Sequence, residues 1–149
     1  MVPTDFSSYS DKAVTEALGL ALEYGAEVYV LHVLEEKIGS MQHDYSDVSV
    51  SPDAILRRQK RLLRLAKNKL NKWLARLSPA VNTKMTPAVV LGVPYEEILR
   101  FQQDMGIDLI VISSLGTTGL GKYFIGGVAR NVLKGSTCPV LLIKDAEGR

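Results

Sequence analysis

Apolar positions recur at helical spacing in "AVTEALGLALEY" (residues 13–24), and Gly25 follows where a left-handed C-cap would stand. The polar stretch "TDFSSYSD" ahead of it supplies several candidate N-caps. The pattern then switches. "EVYVLHVLE" is nearly continuous in apolar, β-branched and aromatic residues, as expected of a strand buried on both faces of a parallel sheet. From Glu35 to Pro52 the periodicity dissolves into a loop. A long helix is predicted from about Pro52 to Leu77, with Leu56, Leu63, Ala66, Leu70, Trp73 and Leu77 along its apolar stripe.

"SPAVN" ends that helix, and "TKMTPAVVLG" reads as a strand placed toward an edge by Pro87. "VPYEEILRFQQDM" predicts a helix that tolerates Pro94 because it falls in the first turn. "GIDLIVISS" is a second strand expected to be fully buried. After a glycine-rich loop come a helix around Val128 to Lys134 and a last strand, "CPVLLIK", at the edge of the sheet. Strands and helices alternate throughout, which predicts an α/β fold with a doubly wound parallel sheet in one domain spanning residues 1–149. Met1 to Pro3 is short for a first strand. The expectation is that the folded state or the native gene product supplies more of it, since a gap would otherwise open between strands 2 and 4.

In such sheets ligands bind beyond the carboxyl ends of strands, where the strand order reverses. "MVPTDFS" and "SSLGTTG" both follow apolar stretches in the right sense to line that crevice. Repeated glycine costs conformational entropy, so its use between a strand and a helix suggests that backbone must approach something closely. A phosphate is one candidate; a tight strand-to-helix connection is the other. "GTTGLGK" is not a P-loop, because its lysine is not followed by Ser or Thr.

Composition narrows the function classes. The chain has 149 residues, 46% hydrophobic and 23% charged, as in a globular protein. A net charge of +2 argues against a dedicated nucleic-acid binder. The single cysteine, Cys138, allows no internal disulfide and reads as inert packing. The apolar runs fall far short of the roughly 20 residues of a membrane span, and the N-terminus lacks a secretory pattern, so a cytoplasmic protein is expected. His32 reads as a satisfied core histidine, His43 stands alone in a loop, and no cluster has metal-ligand spacing. No nucleophile–base pair can be assembled. Arg57, Arg58, Lys60, Arg61, Arg64, Lys67, Lys69 and Lys72 make the long helix strongly basic. That face is either simply solvated or meets an acidic partner or an anionic membrane surface.

Taken together, "VPTDFSSYSDKAV", "VYVLHVLE", "GVPYEEIL", "DLIVISS" and the glycine loop followed by "CPVLLIK" resemble the universal stress protein family over essentially the whole chain. The resemblance implies a five-stranded parallel sheet in order 3-2-1-4-5 with helices on both faces, of the adenine-nucleotide alpha-hydrolase-like kind, and commonly a homodimer. Some members bind ATP or a related adenine nucleotide and others do not. In those that bind, the loop reads G-x-x-G, nine residues, then G followed by Ser or Thr. Gly116 and Gly126 match that spacing; Ser113 replaces the first glycine and Gly127 the hydroxyl residue. By the same resemblance Asp5 contacts the nucleoside, the Val33 backbone meets the adenine and Val128 donates to the phosphates, with Pro3, Thr4 and Ser114 beside them. Asp5 also reads as a helix cap.

The helix opening at Gly126 and Gly127 attracts phosphate through its unpaired N–H groups and its dipole, whatever residue stands at 127. The missing hydroxyl removes a hydrogen bond to a charged oxygen, worth about 1.5–3 kcal/mol. Ser113 would add roughly 1–2 kcal/mol of strain if its site requires positive φ. The expected function is therefore a regulatory stress protein binding ATP or another adenine nucleotide, dimeric through its C-terminal strand, acting on a protein partner and without fast chemistry. A nucleotide-free dimeric module acting through the basic helix is the alternative, and a slow ATP hydrolase a third reading.

Overall fold

The computed structural model describes residues 1–35, 51–77, 84–116 and 125–144. Strand and helix alternate: β1 (Val2–Pro3), α1 (Ser8–Tyr24), β2 (Val28–Leu34), α2 (Pro52–Leu77), β3 (Met85–Leu91), α3 (Pro94–Asp104), β4 (Ile110–Ser113), α4 (Gly127–Gly135) and β5 (Val140–Ile143). All three ladders are parallel: β1 with β2, β2 with β3, and β4 with β5. The ladders form two sheets, β1-β2-β3 and β4-β5. Met1 joins them, its ammonium donating to Leu109 O (2.7 Å) and its carbonyl accepting from Val111 N (2.9 Å). The strands thus lie side by side in the order 3-2-1-4-5, but a two-residue β1 is too short to build a full ladder with β4.

Helix α1 forms where the pattern placed it. Ser7 is its N-cap, accepting from Ser10 N, and Gly25 closes it at φ 66° in the left-handed conformation that glycine adopts without strain. Asp5 therefore does not cap the helix. Its carboxylate accepts from the N–H and hydroxyl of Ser7 two residues on, which shapes the turn out of β1.

One core cluster lies between the sheet and α1 and α2, around Val2, Val14, Val30, Leu70 and Trp73. A second lies on the other face, around Leu31, Ile98, Ile110 and Val132, beneath α3 and α4. Both faces are covered, as a doubly wound sheet requires.

Three expectations from the pattern need correction. β2 is fully buried at Val28, Val30 and Leu31, but His32, Val33 and Leu34 are half-exposed, because the strand's carboxyl end runs past the end of β1 into an open crevice. The apolar stripe of α2 is buried only over Ala66, Leu70, Trp73 and Leu74; Leu56 is 49% exposed, since the helix outruns the sheet beneath it. Cys138 lies ahead of β5 rather than within a buried strand and is half-exposed, with Sγ 3.5 Å from the Ser136 hydroxyl. β3, with Pro87 facing Val30, is the half-buried edge strand.

Candidate nucleotide site

The site begins where β1 ends. Thr4 N donates to Leu31 O (2.8 Å), the last backbone bond from β1 to β2. Residues of a parallel strand alternate in the neighbour they address. Gly92 N bonds Leu34 O on the β3 side, so Leu31 and Val33 address the β1 side. Among the described residues no strand continues there beyond Thr4, and Val33 turns its backbone amide and carbonyl toward the crevice. The same alternation holds across the gap: Ser114 N donates to Ile143 O on the β5 side, Val111 N to Met1 O, and Ser113 therefore faces the crevice from β4. Val33 and Ser113 flank the point where the strand order reverses.

The β1–α1 turn forms the floor. Phe6 N donates to Thr4 Oγ1 (3.0 Å), and the Thr4 hydroxyl meets the buried Ser10 hydroxyl at 2.9 Å, which in turn donates to Ser7 O. Thr4 lines the crevice, but its hydroxyl is engaged in the turn. Phe6 itself has φ 64°, the one positive value at a non-glycine position among the described residues. The ring offsets that strain by packing against His32 (centroids 4.3 Å apart) and edge-on to Trp73 (5.6 Å), with Lys69 Nζ 4.0 Å above it.

His32 Nδ1 lies 2.8 Å from the Thr4 carbonyl, which can only accept, so Nδ1 carries the proton and Nε2 is the acceptor of the neutral ring. Burial lowers the imidazole pKa below its ordinary 6.5. The Thr4 bond opposes this, Lys69 adds to it, and Asp5 opposes it. His32 is a satisfied histidine that also lines the crevice.

The far wall is the glycine segment. Gly126 is the N-cap of α4, without a side-chain capping bond, and its N–H donates to Ser114 O (2.8 Å). The first-turn N–H groups of Gly127, Val128 and Ala129 have no intrahelical carbonyl to meet, and all three residues line the crevice. A Cβ at Gly127 would meet nothing within 4 Å, whereas one at Gly116 would stand 2.6 Å from Asp5 Oδ2. Ser113 closes β4 without a positive φ, so the strain considered for a serine there does not arise; its hydroxyl donates to Leu115 O (2.7 Å).

Pro3, Thr4, Asp5, Val33, Ser113, Ser114, Gly116, Gly126, Gly127 and Val128 all line one cavity of about 470 Å³. They come from three separated stretches of sequence, and the cavity has the size of an ordinary small-molecule site. His43 lies outside the described residues. The sequence pattern missed Pro94 and Ile98, which bring α3 to the wall. A glycine at φ 151°, Gly92, turns the chain into that helix. The signal was present in "LGVPYEEIL", where a strand end is followed at once by a proline-initiated helix. Among the described residues no group of three or more His, Cys, Asp or Glu is arranged to hold a metal ion.

The profile of the universal stress protein family matches residues 1–144. The chain belongs to the universal stress protein family. Universal stress protein MJ0577 of Methanocaldococcus jannaschii is 32% identical over 151 aligned positions, covering 97% of this chain and 93% of the relative. The solved structure of MJ0577 superposes with a TM-score of 0.76 at 30% identity, covering 99% of this chain and 96% of that one. A universal stress protein solved in complex with cAMP superposes at 0.64 with 20% identity, covering 96% and 93% of the two chains. One from Archaeoglobus fulgidus in complex with dAMP gives 0.56 at 22%, covering 96% and 94%. The last two share the fold with this chain.

Proposed function

We propose that this universal stress protein is a cytoplasmic regulator that binds an adenine nucleotide in the crevice at the carboxyl ends of β1, β2 and β4, and holds it without fast chemistry. The observation that carries this reading is the convergence of ten residues from the β1 exit, the end of β2 and the glycine segment on a single cavity. Family relatives of the same fold, solved with cAMP and dAMP, support the choice of an adenine nucleotide.

The residues fit such a ligand. Val33 offers a backbone donor and acceptor of the kind that pairs with an adenine edge. Asp5, drawn against Gly116, is suited to a ribose. The first turn of α4 offers N–H groups and the positive end of its dipole to phosphate oxygens. Gly127 supplies no hydroxyl there, so the first turn of α4 meets the phosphate end through its backbone.

Holding without fast chemistry is part of this proposal. His32 Nδ1 is committed to the Thr4 carbonyl, and Asp5 accepts from Ser7. The neutral ring keeps its Nε2 lone pair, so turnover is measured directly: phosphate release from ATP above a buffer blank would replace holding with slow hydrolysis. Mass spectrometry of small molecules released from the purified protein, followed by calorimetry with ATP, ADP and AMP, tests the reading. Released or titratable adenine nucleotide is expected. No heat with any of the three at millimolar ligand would leave a nucleotide-free module.

A further inference from the structure

The first half of α2 reaches beyond the fold. At 1.5 Å per residue its 26 residues span about 39 Å, against about 23 Å for the seven residues of β2 beneath it. Because α2 connects two parallel strands, it runs antiparallel to them and starts at their carboxyl end. Two contacts fix the level. Lys69 stands over Phe6 in the β1–α1 turn, and Trp73 Nε1 donates to Asp11 Oδ1 (3.0 Å) near the start of α1. Residues 52–65 therefore extend past the carboxyl edge of the sheet, at the end of the molecule where the cavity opens.

The chemistry of this overhang is unlike that of the rest of the chain. Residues 52–65 carry five Lys and Arg against one acidic residue, Asp53, and α2 as a whole carries nine of the chain's 18 Lys and Arg. The apolar face that continues from Trp73 stays exposed there: Ile55 is 37% exposed and Leu62 41%, and Leu65, toward the cations, is 53% exposed. A solvated charged face needs no leucines, and burying leucine is favourable only against an apolar phase.

We infer that residues 52–65 of α2 are an interfacial anchor that docks on anionic phospholipid membranes, with Ile55, Leu62 and Leu65 entering the acyl boundary and the basic side chains meeting lipid headgroups. Such a helix combines a strongly basic polar face with exposed aliphatics and low net hydrophobicity. A second copy of the overhang is excluded as occupant by like charge. A nucleic acid would use the cations but leave the leucines without a partner, and the overhang offers no exposed aromatic ring on which bases could stack. Long basic side chains reach headgroups while their stems cover apolar surface.

Co-sedimentation with vesicles tests this. The whole protein is expected to sediment with phosphatidylglycerol-containing vesicles and to stay in solution with phosphatidylcholine alone. Arg57→Glu/Arg61→Glu should weaken binding by about tenfold or more. Leu62→Ser/Leu65→Ser should also weaken it by about tenfold or more, with an unchanged thermal midpoint. Three results would overturn the inference: no binding to phosphatidylglycerol vesicles, equal binding by wild type and the leucine pair, or tighter binding to a single-stranded oligonucleotide at the same salt concentration.

Discussion

The carboxylate of Asp5 fills the space where a side chain at Gly116 would stand: a Cβ on Gly116 would lie 2.6 Å from Asp5 Oδ2. Asp5 is also held by Ser7 N, so it cannot swing aside without loosening the β1–α1 turn. Gly116→Ala should cost about 1–3 kcal/mol, the range of an overpacked contact. In an Asp5→Ala background the same substitution should cost almost nothing. Urea denaturation of the four proteins measures the coupling; an equal cost in both backgrounds would show that Gly116 is needed for another reason.

His32 makes stability depend on pH. Its folded pKa is lowered from 6.5 chiefly by burial, so the unfolded chain takes up the proton first as pH falls. The contribution of neutral His32 is fully present above about 6.5 and is lost as pH falls through the folded value. Urea midpoints should therefore drop below that pH, and His32→Gln should flatten this part of the profile. A wild-type profile that the substitution leaves unchanged would assign the dependence to other groups.

β5 pairs with β4 alone among the described residues, and Leu141 on it is 39% exposed. An edge strand of this kind needs covering. We expect a homodimer formed along β5, and Leu141→Lys should shift it to monomer. Light scattering across micromolar concentrations measures both; a monomeric wild type would remove the claim.

The order of elements could be read from the chain because continuous apolar runs and 3.6-residue periodicity alternate without exception. The ten residues assigned to the site rest on the resemblance to the family; that they line one cavity follows because loops after parallel strands emerge at the same end of the sheet. Other features were not. Periodicity gives the apolar face of a helix but not how far the sheet extends beneath it, so Leu56 was assigned to a core that stops near Ala66. Asp5 was read as a cap because "TDFSSYSD" offers several side chains able to do it; the choice of Ser7 depends on the backbone path of Phe6, whose positive φ no pattern announces. The strain assigned to Ser113 assumed that a position held by glycine in relatives requires glycine's conformations, whereas here β4 runs through that residue. The hydrogen bonds of Met1 to the β4 segment depend on three-dimensional register, which a three-residue stretch does not encode.

If backbone groups at the start of α4 hold the phosphates of an adenine nucleotide, as we propose, calorimetry of Gly127→Ser will register it. A Cβ at Gly127 meets nothing within 4 Å, so the substitution adds a hydroxyl at the helix start without a clash. If phosphate lies there, affinity for ATP should rise by about 1.5–3 kcal/mol, roughly ten- to hundredfold. Gly126→Asp, which sets a carboxylate against the phosphates, should abolish binding. Wild type and Gly127→Ser both silent with ATP, ADP and AMP at millimolar concentration, or Gly127→Ser binding no tighter than wild type, would mean that no nucleotide phosphate sits at the start of α4.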